Sequence, residues 1–307
     1  MSDLYQILDD YIATRHAMGH KLEHADRRLH EFVDSVLAAG SSSITTKLAL
    51  QWTTKPVGAA PAWLARRLGI VRQFALYAQS FDPRTEVPPP HLLPQPSRRP
   101  TPYIYSEEDI DRLLEAARSQ RIHLSACTDT ALLALLAITG IRVGEAIKLD
   151  RRDLDEDRGL LVVRESKFGK SREIPLHPST VEALRRYVRN RDRLLPVQYS
   201  SQLFLSQVGK PLLYRCVQSR FQRLIDRAGL ANRSPRRPRI HDLRHSFVAR
   251  TLIGWYRSGV EVESRLPLLS TYLGHINPAT TYWYLTAVPE LLALVNERCQ
   301  RRHEVHT

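Results

Sequence analysis

Residues 240–286 read IHDLRHSFVARTLIGWYRSGVEVESRLPLLSTYLGHINPATTYWYLT. Two short motifs organise this stretch. In His241-Asp242-Leu243-Arg244 the imidazole and the guanidinium are three residues apart, a spacing that puts both on one helix face. Leu273-Gly274-His275 follows, with Tyr284 nine residues beyond His275. Gly274 suits a helix end, and Asn277 and Pro278 suit the cap and first position of the next helix. Tyr284 then lies two turns into that helix. Tyr282 is its rival, but a two-residue offset turns the phenols about 200° apart, so only one enters a given site. A proton carrier, a fixed cation, a second histidine and a phenol suit attack of a tyrosine on a phosphodiester.

Upstream, the apolar run Ala131 to Ile138 reads as a buried central helix ended by Thr139-Gly140, and Arg142 follows at once. A cation beside so apolar a helix needs a partner, which Glu145, a carbonyl or a bound phosphate can supply. Two short strands, Leu160 to Val163 and Glu173 to Leu176, flank a turn containing Ser166-Lys167-Phe168-Gly169-Lys170.

H-x-x-R, L-G-H, the tyrosine nine further on, the arginine after T-G and the hairpin lysine stand in the order and spacing of the tyrosine recombinase (phage integrase) family. The resemblance covers about residues 100 to 290. It implies a mainly α fold with a small antiparallel β-sheet (an α+β catalytic domain) behind a separate N-terminal helical DNA-binding domain. The implied boundaries are 1–85 for the DNA-binding domain, 86–105 for a linker, 106–288 for the catalytic domain and 289–307 for a tail helix. By the same resemblance Tyr284 is the nucleophile, Arg142 and Arg244 hold the phosphoryl oxygens and Lys167 protonates the leaving 5′-oxygen. His241 accepts or positions the tyrosine proton, His275 bonds a phosphoryl oxygen and Glu145 braces an arginine or histidine. The implied partners are double-stranded DNA and a homo-tetramer assembled on two duplexes. No metal or other cofactor is implied, because protein cations neutralise the developing charge.

Composition agrees. The chain has 307 residues, enough for two domains, and a formal net charge of +13, which favours a polyanionic partner and nucleic acid first. Hydrophobic residues make up 43%, so real cores can form. Cys127, Cys216 and Cys299 are far apart and read as unpaired thiols in a reducing compartment. The residues after Met1 are polar rather than signal-like, and the longest apolar run is too short to span a bilayer. The expectation is a cytoplasmic protein without a membrane partner.

Residues 1 to about 85 read as helical, with Leu4, Ile7, Leu8, Tyr11 and Ile12 on one face, and Ala62 to Gln79 as the clearest helix. Arg66, Arg67 and Arg72 on that helix are candidate phosphate contacts, set against a solvated face. His16, His20 and His24, four apart, would align on a continuous helix, but no second ligand-bearing element completes a metal site. Prolines crowd 83–102, which reads as an extended linker, with Arg98 and Arg99 available to phosphate. Ser106 is a candidate N-cap before Glu107, Glu108 and Asp109. Asp150, Asp153, Asp155, Glu156 and Asp157 form an acidic, arginine-mixed turn, read as a solvated loop rather than a metal site. Arg233, Arg236, Arg237 and Arg239 crowd the loop before His241 and, with Lys170, are further candidate DNA contacts.

The tail after Pro289 repeats apolar residues at Leu291, Val295 and Cys299. Its apolar side either folds back on its own domain or, as the resemblance suggests, docks on a neighbouring subunit. The leading reading is a recombinase that integrates or excises a mobile element. A dimer-resolving recombinase, a type IB topoisomerase-like enzyme and a non-catalytic DNA-binding regulator are the alternatives. The need for an accessory protein is left open by the sequence, as is the DNA site.

Overall fold

Alternation of apolar faces with caps and breakers divides the chain into two compact units, residues 1–100 and 101–307. The computed structural model describes residues 4–20, 22, 24–94, 101–164, 171–274 and 279–304. The secondary structure is mainly helical with one small antiparallel sheet.

The first unit comprises α1 (Leu4–Ala17), α2 (Ala25–Ala38), α3 (Thr46–Thr54) and α4 (Pro61–Ala78). Leu8, Phe32, Val33, Val36, Val71, Phe74 and Ala75 close its core. Thr45 caps α3 by accepting the Leu48 N–H at 3.2 Å, and Pro61 starts α4 where its missing N–H costs nothing. The chain turns at Gly19 (φ +82°) between α1 and α2. His16, His20 and His24 therefore do not share a helix face. Among the described residues no group of His, Cys, Asp or Glu could hold a metal ion.

Part of the stretch expected as a linker belongs to this unit. The Glu86 N–H donates to the Ile44 carbonyl at 2.8 Å, the Glu86 carboxylate accepts the Thr46 N–H at 2.8 Å, and Val87 and Leu93 pack on the core. Arg98 and Arg99 lie outside the described residues.

The second unit is ordered α5 (Glu107–Arg118), α6 (His123–Thr139), α7 (Val143–Ala146), β1 (Leu154–Asp155), β2 (Leu160–Val163), β3 (Arg172–Pro175), α8 (Pro178–Leu194), α9 (Tyr214–Arg227), α10 (Asp242–Arg257), α11 (Val262–Leu273), α12 (Ala279–Ala287) and α13 (Pro289–Glu304). Helix α6 is apolar nearly all round and packs against α5, α8 and α10, which makes it the axis of the core. Its end is set by Gly140, whose left-handed backbone (φ +62°) is open to glycine at little cost. Ser106 and Asp109 form a reciprocal capping box at the start of α5.

The sheet has strand order β1-β2-β3, all antiparallel, and β1 was not foreseen from the sequence. Leu161 faces Ile174 and Val163 faces Arg172 in the β2–β3 register. Leu161, Val163 and Ile174 are buried, so period-2 alternation places Arg172 on the same inward side. Lys167 and Lys170, between these strands in sequence, lie outside the described residues, as do His275, Asn277 and Pro278.

The acidic turn is structural. Asp150 accepts the Arg152 N–H, Asp153 accepts the Asp150 N–H at 2.9 Å, and Glu156 pairs with Arg151 and Arg185. The tail helix α13 begins at Pro289 and packs on α10 and α12 of its own chain. Val288 and Leu291 are buried in the cluster that holds Val248, Leu252 and Leu266, and Glu290 pairs with Arg257 at 2.7 Å. The first turn of the tail thus packs on its own chain through Leu291, while Leu292 beside it is exposed.

Candidate active site

The C-terminal turn of α11 gathers the site. A helix end leaves carbonyls without intrahelical partners and carries partial negative charge. Three guanidiniums meet three successive carbonyls there. Arg172 Nε donates to the Tyr272 carbonyl at 2.8 Å, Arg244 Nη2 to Leu273 at 2.7 Å, and Arg142 Nη2 to Gly274 at 2.9 Å. Gly274 has φ +65°, and a Cβ added to it would sit 3.1 Å from Arg172 Nη1. The glycine is needed both for the left-handed turn and for the approach of the arginines.

Each arginine arrives on a separate element. Arg142 stands at the N-terminus of α7, just past the Gly140 turn, and Arg244 is in the first turn of α10. Arg172 opens β3. Arg244 is 3% exposed and also donates to the Gly140 carbonyl at 2.7 Å, which ties the end of α6 to the end of α11. Burial first, and then the neighbouring Arg142, lower its pKa to about 10, so it stays cationic at neutral pH.

Glu145 lies between two of these cations. Its carboxylate pairs with Arg142 at 2.8 Å and with Arg172 at 2.7 Å, and it accepts the Arg142 backbone N–H at 3.0 Å. Burial pushes its pKa up, but the hydrogen bonds and charge of Arg172 and Arg142 outweigh this and hold it below the usual carboxylate range. One carboxylate among three arginines leaves a net positive pocket suited to an anion.

His241 stands at the N-cap position of α10, without a side-chain capping bond, and is held neutral. Burial first and then Arg244 lower its pKa to about 4. One helical turn on, His245 is buried, and its ring stands edge-on to His241 with centroids 4.9 Å apart. The Tyr284 hydroxyl meets His245 Nδ1 at 2.6 Å. Tyr284 is 1% exposed, its ring set among Val248, Leu252 and Leu269, and it lies within electrostatic reach of Arg244. Tyr282 is 46% exposed, so the two phenols do face different ways.

The structure thus brings together Arg142, Glu145, His241, Arg244 and Tyr284. It adds two residues that the sequence reading missed. Arg172 was signalled by strand parity, since it falls on the inward side with Ile174. His245 was signalled by spacing, since it lies four residues after His241 on the same helix.

The proposed DNA contacts fare differently. Arg66 is exposed and Arg72 half-buried. Arg67 is buried, its guanidinium 3.4 Å from the centre of the Trp52 ring, because a planar, weakly hydrated cation can be stored against an aromatic face. It is therefore a core cation rather than a phosphate contact. In the loop before His241, Arg233 pairs with Asp109 at 3.0 Å, Arg237 with Asp226 at 2.7 Å and Arg239 with Asp242 at 2.9 Å, while Arg236 is exposed. A groove of about 500 Å³ between α6 and α8, lined by Cys127, Ile138 and Tyr187 among others, includes none of the clustered arginines.

Comparison with known proteins identifies the arrangement. Residues 104–290 match the model of the phage integrase family. The chain is 42% identical to the putative integrase/recombinase y4rB of Sinorhizobium fredii over the whole of both proteins. It is 30% identical to the tyrosine recombinase XerD of Brucella abortus, covering 93% of each. Among solved structures, the Tn1549 transposon integrase in complex with transposon right-end DNA shares the fold at a TM-score of 0.67 and 18% identity, over 92% of this chain and 94% of that one. XerA recombinase aligns over 96% of this chain and 98% of its own, with a TM-score of 0.52 and 21% identity. No helix among the described residues is long and apolar enough to cross a membrane. With the match spanning the unit that gathers these arginines and the tyrosine, the chain belongs to the phage integrase family of tyrosine recombinases.

Proposed function

We propose that the chain catalyses site-specific strand exchange between DNA duplexes through a 3′-phosphotyrosyl intermediate on Tyr284, in the integration or excision of a mobile element. The observation that carries this reading is the convergence of Arg142, Arg172 and Arg244 on one helix end, with the Tyr284 phenol within electrostatic reach of Arg244. Arg142 and Arg244 hold the non-bridging oxygens of the scissile phosphate as their charge grows. Tyr284 attacks phosphorus, and Lys167 protonates the leaving 5′-oxygen. His275 bonds a phosphoryl oxygen, and neutral His241 positions the attacking group. The bond energy is kept in the phosphotyrosine, so religation needs no nucleotide, and cleavage should continue in excess chelator.

The mobile-element reading is supported by the higher identity to a putative integrase/recombinase (42%) than to XerD proteins (30%). Assembly as a tetramer on two duplexes is proposed by analogy with lambda integrase, solved as a tetramer on a Holliday junction and similar in fold at a TM-score of 0.63. The target is double-stranded DNA, with the first helical unit and the basic residues Arg66, Lys170 and Arg236 as contacts.

The test is covalent capture on a nicked duplex carrying the site recovered with the protein from cells. Tyr284→Phe should bind this DNA yet form no adduct, while Tyr282→Phe should retain most of the wild-type adduct. An adduct lost in Tyr282→Phe and kept in Tyr284→Phe would sink the assignment.

A further inference from the structure

We propose that His245, rather than His241, is the catalytic residue that takes the proton of the attacking tyrosine and returns it on religation. The proposal rests on Tyr284 as nucleophile and goes beyond it by naming the proton's destination. The Tyr284 hydroxyl lies 2.6 Å from His245 Nδ1, a close contact even for an O–H donor. Both groups are buried, 1% and 3% exposed. A phenol is a far stronger acid than a neutral imidazole N–H. In such a contact the phenol therefore donates, and His245 offers the Nδ1 lone pair with its own proton on Nε2. His241 stands edge-on to the His245 ring, with centroids 4.9 Å apart, and so helps to hold its plane.

The step balances. As the phenol oxygen bonds to phosphorus its O–H bond breaks and the proton moves to His245 Nδ1. The P–O5′ bond breaks, and the 5′-oxygen takes a proton from Lys167. Religation reverses each transfer. The acceptor sits one residue beyond Arg244, so the groups that bind the phosphate and the proton share one helical turn. The partner is in place before DNA arrives, which removes the cost of assembling it in the transition state.

The test uses single-turnover adduct formation by the full chain on the nicked duplex, with either an ordinary scissile oxygen or a bridging sulfur at the 5′ position. Sulfur leaves without protonation, so it rescues a lost general acid but not a lost base. His245→Gln and His245→Ala should bind DNA with wild-type affinity and form adduct about 100-fold more slowly or worse. The defect should be the same on both substrates, whereas Lys167→Ala should be rescued by sulfur. An unchanged rate overturns the proposal. So does a faster one, which would make His245 a latch that merely stores the phenol. Where the variants fail to bind DNA, 15N labelling of histidine in the wild-type protein decides: a proton on Nδ1 rather than Nε2 overturns it. Adduct formation by Tyr284→Phe would instead remove the nucleophile assignment, a separate failure.

Discussion

Arg172 shows how a residue can govern chemistry it does not perform. Its guanidinium ties β3 to the Glu145 carboxylate and to the Tyr272 carbonyl, and so sets the positions of Arg142 and of the turn before His275. Lysine cannot keep this geometry, because one ammonium cannot reproduce a planar fork. Arg172→Lys should leave DNA affinity within a few fold but lower single-turnover cleavage at least 10-fold, about 1.4 kcal/mol of transition-state stabilisation. Cleavage at the wild-type rate would reduce Arg172 to a structural brace without influence on the chemistry. His241 gives a second test at this scale. Its folded pKa of about 4 lies below the usual histidine value, so between those two values the unfolded chain binds more protons. Its contribution to stability is therefore complete above about pH 6.5 and is lost as pH falls towards 4. His241→Gln should lose less stability than wild type between pH 7 and pH 4.5 in urea denaturation; an equal loss would show that the drop belongs to other groups.

The helices and the hairpin were legible where local chemistry acts alone. Ser106 was read as an N-cap and makes the full capping box, so Ser106→Ala should cost about 1 kcal/mol, read as a lower urea midpoint. Leu160 to Val163 was read as a strand and is one, and Gly140 and Gly274 were read as helix ends and adopt left-handed backbone. What was missed depends on contacts between distant elements. The two-residue β1 exists only because β2 pairs with it, and no periodicity can show in so short a segment. Arg67 looked like any basic residue on an exposed face. Only the tertiary position of Trp52, from a different helix, makes it a buried cation. Arg67→Ala should therefore destabilise the first unit by about 2 kcal/mol or more while leaving the salt dependence of DNA binding unchanged, because it displaces no counterion. A lost increment in the salt slope would return Arg67 to the phosphate surface.

For the whole molecule, the open question is what the tail does. Sequence pattern left two homes for its apolar side, since period alone cannot name the surface that covers it. In the folded chain Leu291 is fully buried against the cluster of α10, α11 and α12, while Leu292 is 44% exposed. The first turn of α13 is thus part of the core that surrounds Tyr284, and the next position points outward. Two substitutions separate the roles. Leu291→Ala should cost about 2–5 kcal/mol of stability, by the cavity it leaves, and should slow adduct formation because the seat of Tyr284 loosens. Leu292→Ala should leave stability and adduct formation unchanged; if the outer side of the tail meets a neighbouring subunit, it should lower pairing of two sites and recombination. A chain ending at Ala287 removes both and should show both defects. Full recombination by Leu292→Ala and loss of it only where the monomer is destabilised would mean that the tail acts within its own chain. The proposed tetramer would then have to be held by other surfaces.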